Sequence, residues 1–396
     1  MKPKPKYSVI IPAKNGMPYL RYSVLSALAS NFADLEVIVS LDGSGDESED
    51  FLSCVADTRL RVVRPSLGLS MSEHWDFAQL QATGQWQIFL GQDDLLMSGF
   101  TDAFDYLTDA ATEKGLDIVV ARRAYIAWPP LGDANLKALQ YWESAELEIR
   151  DSESFVAKAL LNSISYHAGP QMYTTTLVSE KLISAIRSKH QSRLVLGHPQ
   201  DAFLAAALLK EGKHFLFSGK PFSWVGSSIK SAGLAISSNN LKNEPSSIAA
   251  DYRTSVSNSP NLSYHSDVDF SHAVNSRYFI DALSVVWPEI FASNRFQSKL
   301  FQIGVDSRAW AVLAQNRKAG IPLKKILYFP GLNLLKMIVG LILIAGSVGA
   351  NVLRRILGPI LSKFASSLNF RSVEFMADPE ELFESAMSIS TSYSQD

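Results

Sequence analysis

The chain has 396 residues, a formal net charge of -2, 47% hydrophobic residues and 19% charged residues. This length exceeds what one compact core usually holds, so we expect one main domain and an attached C-terminal region. The balanced charge, without an arginine-rich tract, argues against a nucleic-acid partner. Cys54 is the only cysteine, which excludes an internal disulfide.

Short apolar runs alternate with helical patterns in the first half of the chain. Buried strands are predicted at Tyr7–Pro12, Leu35–Leu41, Leu60–Val63 and Trp86–Leu90, a later strand at Gln171–Thr175, and helices over Leu20–Ala29 and His74–Ala82. The early strands are too apolar to have a wet face, which is typical of a parallel sheet covered by helices on both sides. Ligands of such sheets bind beyond the carboxyl ends of the strands.

Acidic residues follow two of these strands. Asp42 and Asp46 flank Gly43-Ser44-Gly45, Asp93 and Asp94 follow the fourth strand, and Asp201 lies in Gly197-His198-Pro199-Gln200-Asp201. Each cluster alone has an ordinary explanation as a turn or a helix cap. Together, their order and spacing form a more specific pattern than any one cluster.

The motifs around these acids resemble the inverting family-2 glycosyltransferases with a GT-A fold, from about Tyr7 to Trp224. The matching segments are Ser8-Val9-Ile10-Ile11-Pro12 with Asn15, Val37 through Ser44 with Asp46, Gly68-Leu69-Ser70, Glu73-His74-Trp75, and Ala82-Thr83-Gly84-Gln85-Trp86 leading into Ile88 through Asp94. The resemblance implies a Rossmann-like, mostly parallel sheet flanked by helices. It also implies a nucleotide-sugar donor and a hydroxyl acceptor.

Residue roles follow from the resemblance, position by position. Pro12, Ala13 and Asn15 would form the donor-binding turn, and Asp42 would accept a hydrogen bond from the ring N–H of the base, usually uracil. Asp93 would bind Mn²⁺ or Mg²⁺, a hard cation that neutralises the diphosphate leaving group. Asp94 would orient the acceptor or the metal's water, and Asp201 would be the general base.

The chain departs from the family pattern at two positions. Gly91 stands where the Asp-x-Asp motif usually begins with an acid, and Gln200 replaces the acid before Asp201. Two other hypotheses therefore stay open: a catalytically inactive scaffold or binding protein, and a sugar nucleotidyltransferase. The latter would need a longer basic, Gly-rich loop than the segment 13–16 provides.

Several further residues carry two interpretations each. His167 could contact the acceptor, His198 could approach the site, and Lys230 could bind phosphate as a point charge. Trp75 and Trp86 could stack on sugar. The ordinary alternatives are loop histidines, a solvated lysine and core tryptophans.

The second half of the chain changes character twice. Ser227–Pro260 is polar and predicts a loop or lid, and Val268–Lys318 shows helical periodicity. Leu332–Leu353 is strongly apolar with basic flanks, which fits a membrane-spanning or re-entrant helix, an interfacial helix, or a buried oligomer helix. The predicted domains are 1–230, a loop and helical extension over 231–325, membrane-associated helices over 326–366, and a partly disordered tail over 367–396.

Nucleotide sugars imply a cytoplasmic catalytic domain. Together with the apolar segment, this predicts a protein at the cytoplasmic face of the cell membrane that acts on a saccharide or lipid-linked saccharide. Cell-surface polysaccharide synthesis is the expected setting.

Overall fold

The computed structural model describes residues 4–66, 69–129, 138–160, 164–231, 272–306, 369–373, 376, 378–391 and 393. Most of the predicted polar loop and the whole apolar segment 332–353 lie outside these residues, so the membrane association remains a prediction. Within the described ranges, no helix combines the length and apolar character needed to cross a bilayer.

The larger sheet has eight strands in the order β3-β2-β1-β4-β10-β6-β11-β9. Their bounds are β1 Tyr7–Ala13, β2 Leu35–Leu41, β3 Leu60–Val63, β4 Trp86–Phe89, β6 Ile118–Ala121, β9 Leu147–Asp151, β10 Thr176–Ser179 and β11 His214–Ser218. The first four strands of the sheet are parallel, whereas β10 lies antiparallel between β4 and β6. The fold is thus mixed α/β, with its parallel part where the sequence predicts it.

Helices cover both faces of this sheet, because successive side chains along its strands point to opposite faces and are apolar on both. Along β1, Ile10 belongs to one core cluster, whereas Val9 and Ile11 belong to the other. The helices are α1 Tyr19–Leu28, α2 Ser48–Cys54, α3 Met71–Leu80, α4 Phe100–Glu113, α5 Ser152–Leu160, α6 Glu180–Lys189 and α7 Gln200–Gly212. Burial on both faces is what selects the near-continuous apolar strands seen in the sequence.

A smaller sheet lies beside the carboxyl end of β4. Its order is β13-β8-β7-β12-β5, with β5 Leu95–Leu96, β7 Ala124–Ala127, β8 Leu139–Glu143, β12 Ser223–Ser227 and β13 Asn369–Val373. Strand β12 pairs with both β5 and β7, which places its last residues next to Asp93 and Asp94. The sequence patterns do not predict this sheet.

The C-terminal parts of the chain pack onto this body. Helices α8 His272–Val286 and α9 Asn294–Asp306 follow one another, and Phe279 and Leu283 of α8 join the core cluster that holds α7. Strand β13 pairs with β8, and α10 Pro379–Ser388 buries Leu382 against the smaller sheet. The region predicted as a tail therefore contributes a strand and a helix.

Two predicted elements have different bounds. The strand expected at Gln171–Thr175 begins only at Thr176, because Met172 and Thr174 have φ angles of 52° and 44°, which no strand accommodates. Helix α3 begins at Met71, before the predicted His74, since Ser70 and Glu73 form a reciprocal capping box at its N-terminus.

Candidate functional site

The loops after β1 and β2 are tied to each other. Asn15, with φ at 51°, accepts a hydrogen bond from the Gly45 N–H at 2.7 Å and donates its own N–H to Ser44 Oγ at 2.8 Å. The Asp42 N–H donates to the Ala13 carbonyl at 3.0 Å. Because β1 and β2 are parallel neighbours, the predicted donor residues Pro12, Ala13, Asn15 and Asp42 come together at one edge.

Asp42 is a buried carboxylate at this edge. It is 5% exposed, and its Oδ2 lies 3.4 Å from Lys14 Nζ. Beneath it, His74 Nε2 lies 2.9 Å from Ser40 Oγ and 3.1 Å from the Ser40 carbonyl. Burial lowers the pKa of His74 despite the opposing charge of Asp42. A neutral His74 therefore supports the β2 end without neutralising Asp42.

Asp46 and Lys230 connect the donor loop to β12. Asp46 accepts the Met17 N–H at 2.8 Å and two hydrogen bonds from Ser48. Burial would raise the pKa of Asp46, but these hydrogen bonds outweigh it and hold the pKa below its usual value. Lys230 Nζ donates to the carbonyls of Asn15 at 2.7 Å and Met17 at 2.5 Å. Lys230 thus links the segment after β12 to the loop after β1 through hydrogen bonds.

Asp94 is fully enclosed by the protein. Its Oδ2 accepts the Gly91 N–H at 3.0 Å and the Thr174 hydroxyl, and its Oδ1 accepts the Gly226 N–H at 2.5 Å. Burial, followed by the charge of Asp93, raises the pKa of Asp94 to about 6. Both of its oxygens are engaged in joining the β4 loop to β12 and to Thr174.

Asp93 meets a different set of partners. Its Oδ2 accepts hydrogen bonds from Ser228 at 2.7 Å and from Ser231, and its carbonyl accepts the Trp128 indole N–H at 2.7 Å. Burial raises the pKa of Asp93, while the two serine hydroxyls act against this rise. Its partners are rotatable hydroxyls, which can reorient to accommodate a ligand in a way that backbone N–H groups cannot.

Gly91 fits a space that admits no side chain. A Cβ there would lie 2.4 Å from the Tyr173 hydroxyl and 2.5 Å from Asp94 Oδ2. A second close approach occurs at Gly226, where a Cβ would lie 1.7 Å from the Asp93 carbonyl oxygen. The missing acid of the Asp-x-Asp pattern is therefore replaced by a packed contact between Tyr173 and Asp94.

Few protein side chains are available here as ligands for a metal ion. Among the described residues, no group of three or more His, Cys, Asp or Glu side chains could hold a metal ion. Mg²⁺ is commonly bound by one or two carboxylates together with substrate phosphates and waters. Asp93 fits that kind of shared site, whereas Asp94 has its oxygens occupied by the protein.

Asp201 lies in the first turn of α7 and keeps 22% of its side chain exposed. Its Oδ2 accepts the Tyr166 hydroxyl at 3.1 Å and lies 3.6 Å from His167 Nδ1. Burial raises the pKa of Asp201, and the Tyr166 hydrogen bond is the foremost opposing effect. A carboxylate with a raised pKa and an open side is suited to accept a proton.

His167 is held in one neutral form by a chain of hydrogen bonds. Arg123 Nη1 donates to Gln171 Oε1 at 3.3 Å, so the Gln171 amide NH₂ faces His167 Nδ1, 3.1 Å away. His167 Nδ1 is then an acceptor, and the imidazole proton is on Nε2. Burial and the nearby Arg123 charge lower the pKa of His167 to about 3.

The segments that carry three of the predicted aspartates, Asp42, Asp93 and Asp201, are linked by hydrogen bonds. The Lys14 N–H donates to Gln92 Oε1 at 3.0 Å, which connects the Asp42 loop to the β4 loop. The segment 171–174 then runs from the His167 contact to the Thr174 contact with Asp94. Asp42, Asp93 and Asp201 are therefore joined by continuous contacts.

Three other residues that the sequence suggested for the site, Trp75, Trp86 and His198, are buried in the protein. Trp75 is 8% exposed and packs 4.6 Å from the Phe89 ring, and Trp86 is 7% exposed. His198 is buried, which lowers its pKa to about 4. The two tryptophans are thus core residues.

Sequence reasoning missed most of the residues that contact these acids. They come from distant parts of the chain: Tyr166, Tyr173, Thr174, Gly226 and Ser231. None follows a recognisable pattern, because what unites them is the approach of the smaller sheet and of the segment 166–174 to the β4 loop.

Comparison with known proteins finds similarity to one protein family. Residues 8–159 match the family model described as glycosyl transferase family 2. The uncharacterized glycosyltransferase EpsJ of Bacillus subtilis is 30% identical over 141 residues, which cover 33% of this chain and 39% of EpsJ. The uncharacterized glycosyltransferase RT0329 of Rickettsia typhi is 31% identical over 91 residues, 23% of this chain and 28% of that protein. The matches span less than half the length of these relatives.

Solved structures of S. aureus TarS 1-349 are also similar. The complex with UDP-GlcNAc has a TM-score of 0.42 and 14% identity, covering 78% of this chain and 81% of that chain. The complex with UDP has a TM-score of 0.38 and 16% identity, covering 73% of each chain.

Proposed function

We propose, from the match of residues 8–159 to the glycosyl transferase family 2 model, that the protein transfers a sugar from a nucleoside diphosphate donor to a hydroxyl acceptor, with inversion. The observation that carries this proposal is the series of hydrogen bonds that links the segments carrying Asp42, Asp93 and Asp201. Each of these three carboxylates faces a different part of the reaction: base, diphosphate and acceptor.

The proposed donor contains uracil. Asp42 presents a buried carboxylate, which only accepts hydrogen bonds and is costly to bury without a donor. Uracil, thymine and guanine each carry a ring N–H that can supply this hydrogen bond, whereas adenine and cytosine present an acceptor at the corresponding ring nitrogen. UDP-sugars are therefore the first donors to test, with thymidine and guanosine diphosphates as the alternatives.

We propose that the diphosphate is bound with Mn²⁺ or Mg²⁺ at Asp93. When bound, the cation would supply Lewis-acid stabilisation to the departing diphosphate. Asp93 would provide the protein's carboxylate, and the Ser228 and Ser231 hydroxyls that now donate to it can rotate away. Asp94 would hold the β4 loop in shape through its contacts with Gly91 and Gly226.

Asp201 is the proposed general base. It would take the proton from the acceptor hydroxyl while that oxygen attacks the anomeric carbon, and the nucleoside diphosphate leaves from the opposite face. One displacement inverts the anomeric configuration. The raised pKa of Asp201 favours proton transfer to it. The hydrogen bond from the Tyr166 hydroxyl stabilises the ionised carboxylate and so limits this rise in pKa.

The acceptor and the cellular setting are proposed more broadly. A saccharide or lipid-linked saccharide of a cell-surface polysaccharide fits a hydroxyl acceptor, and nucleotide sugars place the catalytic domain in the cytoplasm. The apolar segment 332–353 with its basic flanks supports docking at the cytoplasmic face of the membrane.

The first experiment is calorimetric titration of the full-length chain with UDP, with and without Mn²⁺. Wild type should bind UDP more tightly with Mn²⁺, and Asp93→Asn should lose the metal-dependent part of the affinity, about tenfold or more. Asp102→Asn, an exposed acid on α4, is the matched control and should behave like wild type.

The same titration separates the alternatives. Binding of no uridine, thymidine or guanosine diphosphate under any metal condition would overturn the donor site and favour an inactive binding protein. Metal-dependent binding that survives in Asp93→Asn would leave the donor site standing and refute the role of Asp93.

A further inference from the structure

We propose that the acceptor side of this site contains a subsite for an anionic sugar unit, formed by the Tyr125 ring, the Arg123 guanidinium and the His167 imidazole beside Asp201. The subsite rests on the proposed glycosyltransferase function. It assigns the acceptor a chemical class, a saccharide carrying a carboxylate or phosphate group, which the donor-side residues leave open.

Tyr125 provides an exposed aromatic ring beside Arg123. It is 41% exposed, although it lies on β7 between the buried residues Ala124 and Ile126. The Trp142 ring meets it edge-on at 6.4 Å, and the Arg123 guanidinium lies 6.0 Å from the Tyr125 ring centre. The Tyr125 ring is therefore held by neighbours on two sides while one face remains open.

Arg123 is a cation without a carboxylate partner among the described residues. Its Nη1 donates to the His167 carbonyl at 3.0 Å and to Gln171 Oε1, which fixes the plane of the guanidinium. No hydrogen bond from its Nη2 is found in the described part of the chain. A fixed guanidinium whose Nη2 has no hydrogen bond among the described residues is a strong site for a carboxylate or a phosphate, because it can donate a charge-assisted hydrogen bond.

His167 supplies a neutral donor between Arg123 and Asp201. Because Gln171 occupies Nδ1, the remaining N–H is on Nε2, and the side chain keeps 30% exposure. A neutral imidazole can donate to an acceptor oxygen without adding a charge that would weaken Asp201 as a base. The three side chains therefore present a ring surface, a cation and a hydrogen-bond donor in sequence towards Asp201.

A sugar unit fits this arrangement better than other ligands of the same charge. The C–H groups of a pyranose ring can pack on the open Tyr125 face, and its acidic group can reach Arg123. Its hydroxyl groups then extend towards His167 and Asp201, where the reaction would occur. A free inorganic anion would use only Arg123 and would gain nothing from Tyr125.

The test is saturation-transfer NMR on the full-length chain with UDP and Mg²⁺, using three disaccharide probes: cellobiose, cellobiouronic acid and cellobiose 6-phosphate. Both anionic probes should bind at least about tenfold more tightly than cellobiose. Arg123→Gln should remove this preference, whereas Tyr125→Ala should weaken all three probes and Tyr125→Phe should not. Arg64→Gln and Ile149→Ala, at exposed positions elsewhere, are the matched controls.

Calorimetry of UDP on the same variants separates the two proposals. Intact UDP binding with equal affinity for neutral and anionic probes, or with no probe bound, overturns the subsite and leaves the donor site standing. Unchanged probe binding in Tyr125→Ala also overturns it. Wild type that binds no uridine, thymidine or guanosine diphosphate refutes the proposed function itself. A preference for the carboxylate probe over the phosphate probe, or the reverse, identifies the acidic group.

Discussion

Gly91 and Tyr173 compete for the same space: a Cβ at position 91 would lie 2.4 Å from the Tyr173 hydroxyl. The hydroxyl in turn lies beside Asp94, whose Oδ2 accepts the Gly91 N–H. The position that begins the Asp-x-Asp motif in the family is therefore closed here by a side chain from another part of the chain. The departure from the motif has a steric cause.

Gly91→Ala should destabilise the protein by about 1–3 kcal/mol, because the added methyl group must displace Tyr173 and Asp94. Tyr173→Phe should reduce this cost, since it removes the hydroxyl that the methyl group meets. The measurement is urea denaturation of both single variants and the double variant. Gly45→Ala, where a Cβ meets nothing closer than 4.0 Å, is the control. Equal costs at positions 91 and 45 would contradict the steric explanation.

Asp94 should make stability fall as pH rises. The pKa of Asp94 is about 6 in the folded state, against a usual value of 3.8, so the folded state binds this proton more tightly than the unfolded state does. The resulting stabilisation of the folded state is present at low pH and is lost as the pH rises through 6. Relative to Asp94→Asn, wild type should gain about 2 kcal/mol on going from pH 7 to pH 4. Urea titrations at both pH values measure this, with Asp102→Asn as control. The same pH dependence in wild type and Asp94→Asn would refute it.

Tyr166→Phe should move the acidic limb of the activity profile to higher pH. The Tyr166 hydroxyl donates to Asp201 and lowers its pKa, so its loss should let Asp201 stay protonated to a higher pH. We expect kcat/KM to fall more on the acidic side of the profile than at pH 8. UDP release from a UDP-sugar measures it. Tyr22→Phe, which removes a hydroxyl bonded to Glu380, should leave the profile unchanged, and a uniform loss at all pH values would argue for a purely structural role.

Lys230→Met should weaken UDP binding about tenfold while leaving the protein folded. Lys230 Nζ donates to the carbonyls of Asn15 and Met17, so its loss frees the donor turn and ordering that turn must then be part of the binding free energy. Calorimetry with UDP measures the effect. Lys181→Met, at a lysine 82% exposed in a surface ion pair, is the control. Unchanged UDP affinity in Lys230→Met would show that the turn keeps its shape without this tie.

The local pattern of the chain was sufficient for the parallel half of the fold. Leu35–Leu41 and Leu60–Val63 are strands as predicted, because burial on both faces requires an apolar run that is visible in any short window. The edge at which Asp42 and Asp93 lie follows from the same pattern, since parallel neighbouring strands end together.

Only the tertiary structure decided what each carboxylate can do. Asp93 and Asp94 are adjacent in sequence, yet Asp94 is enclosed by Gly91, Thr174 and Gly226 while Asp93 faces rotatable serine hydroxyls. The strand expected at Gln171–Thr175 was wrong for a related reason: Met172 and Thr174 adopt positive φ angles where this segment packs against β4 and Asp94. Apart from the hydrogen bond between Gly91 and Asp94, these contacts of Asp93 and Asp94 join residues that are 80 or more positions apart. Their energies depend on distance and burial in space, which no local sequence pattern encodes.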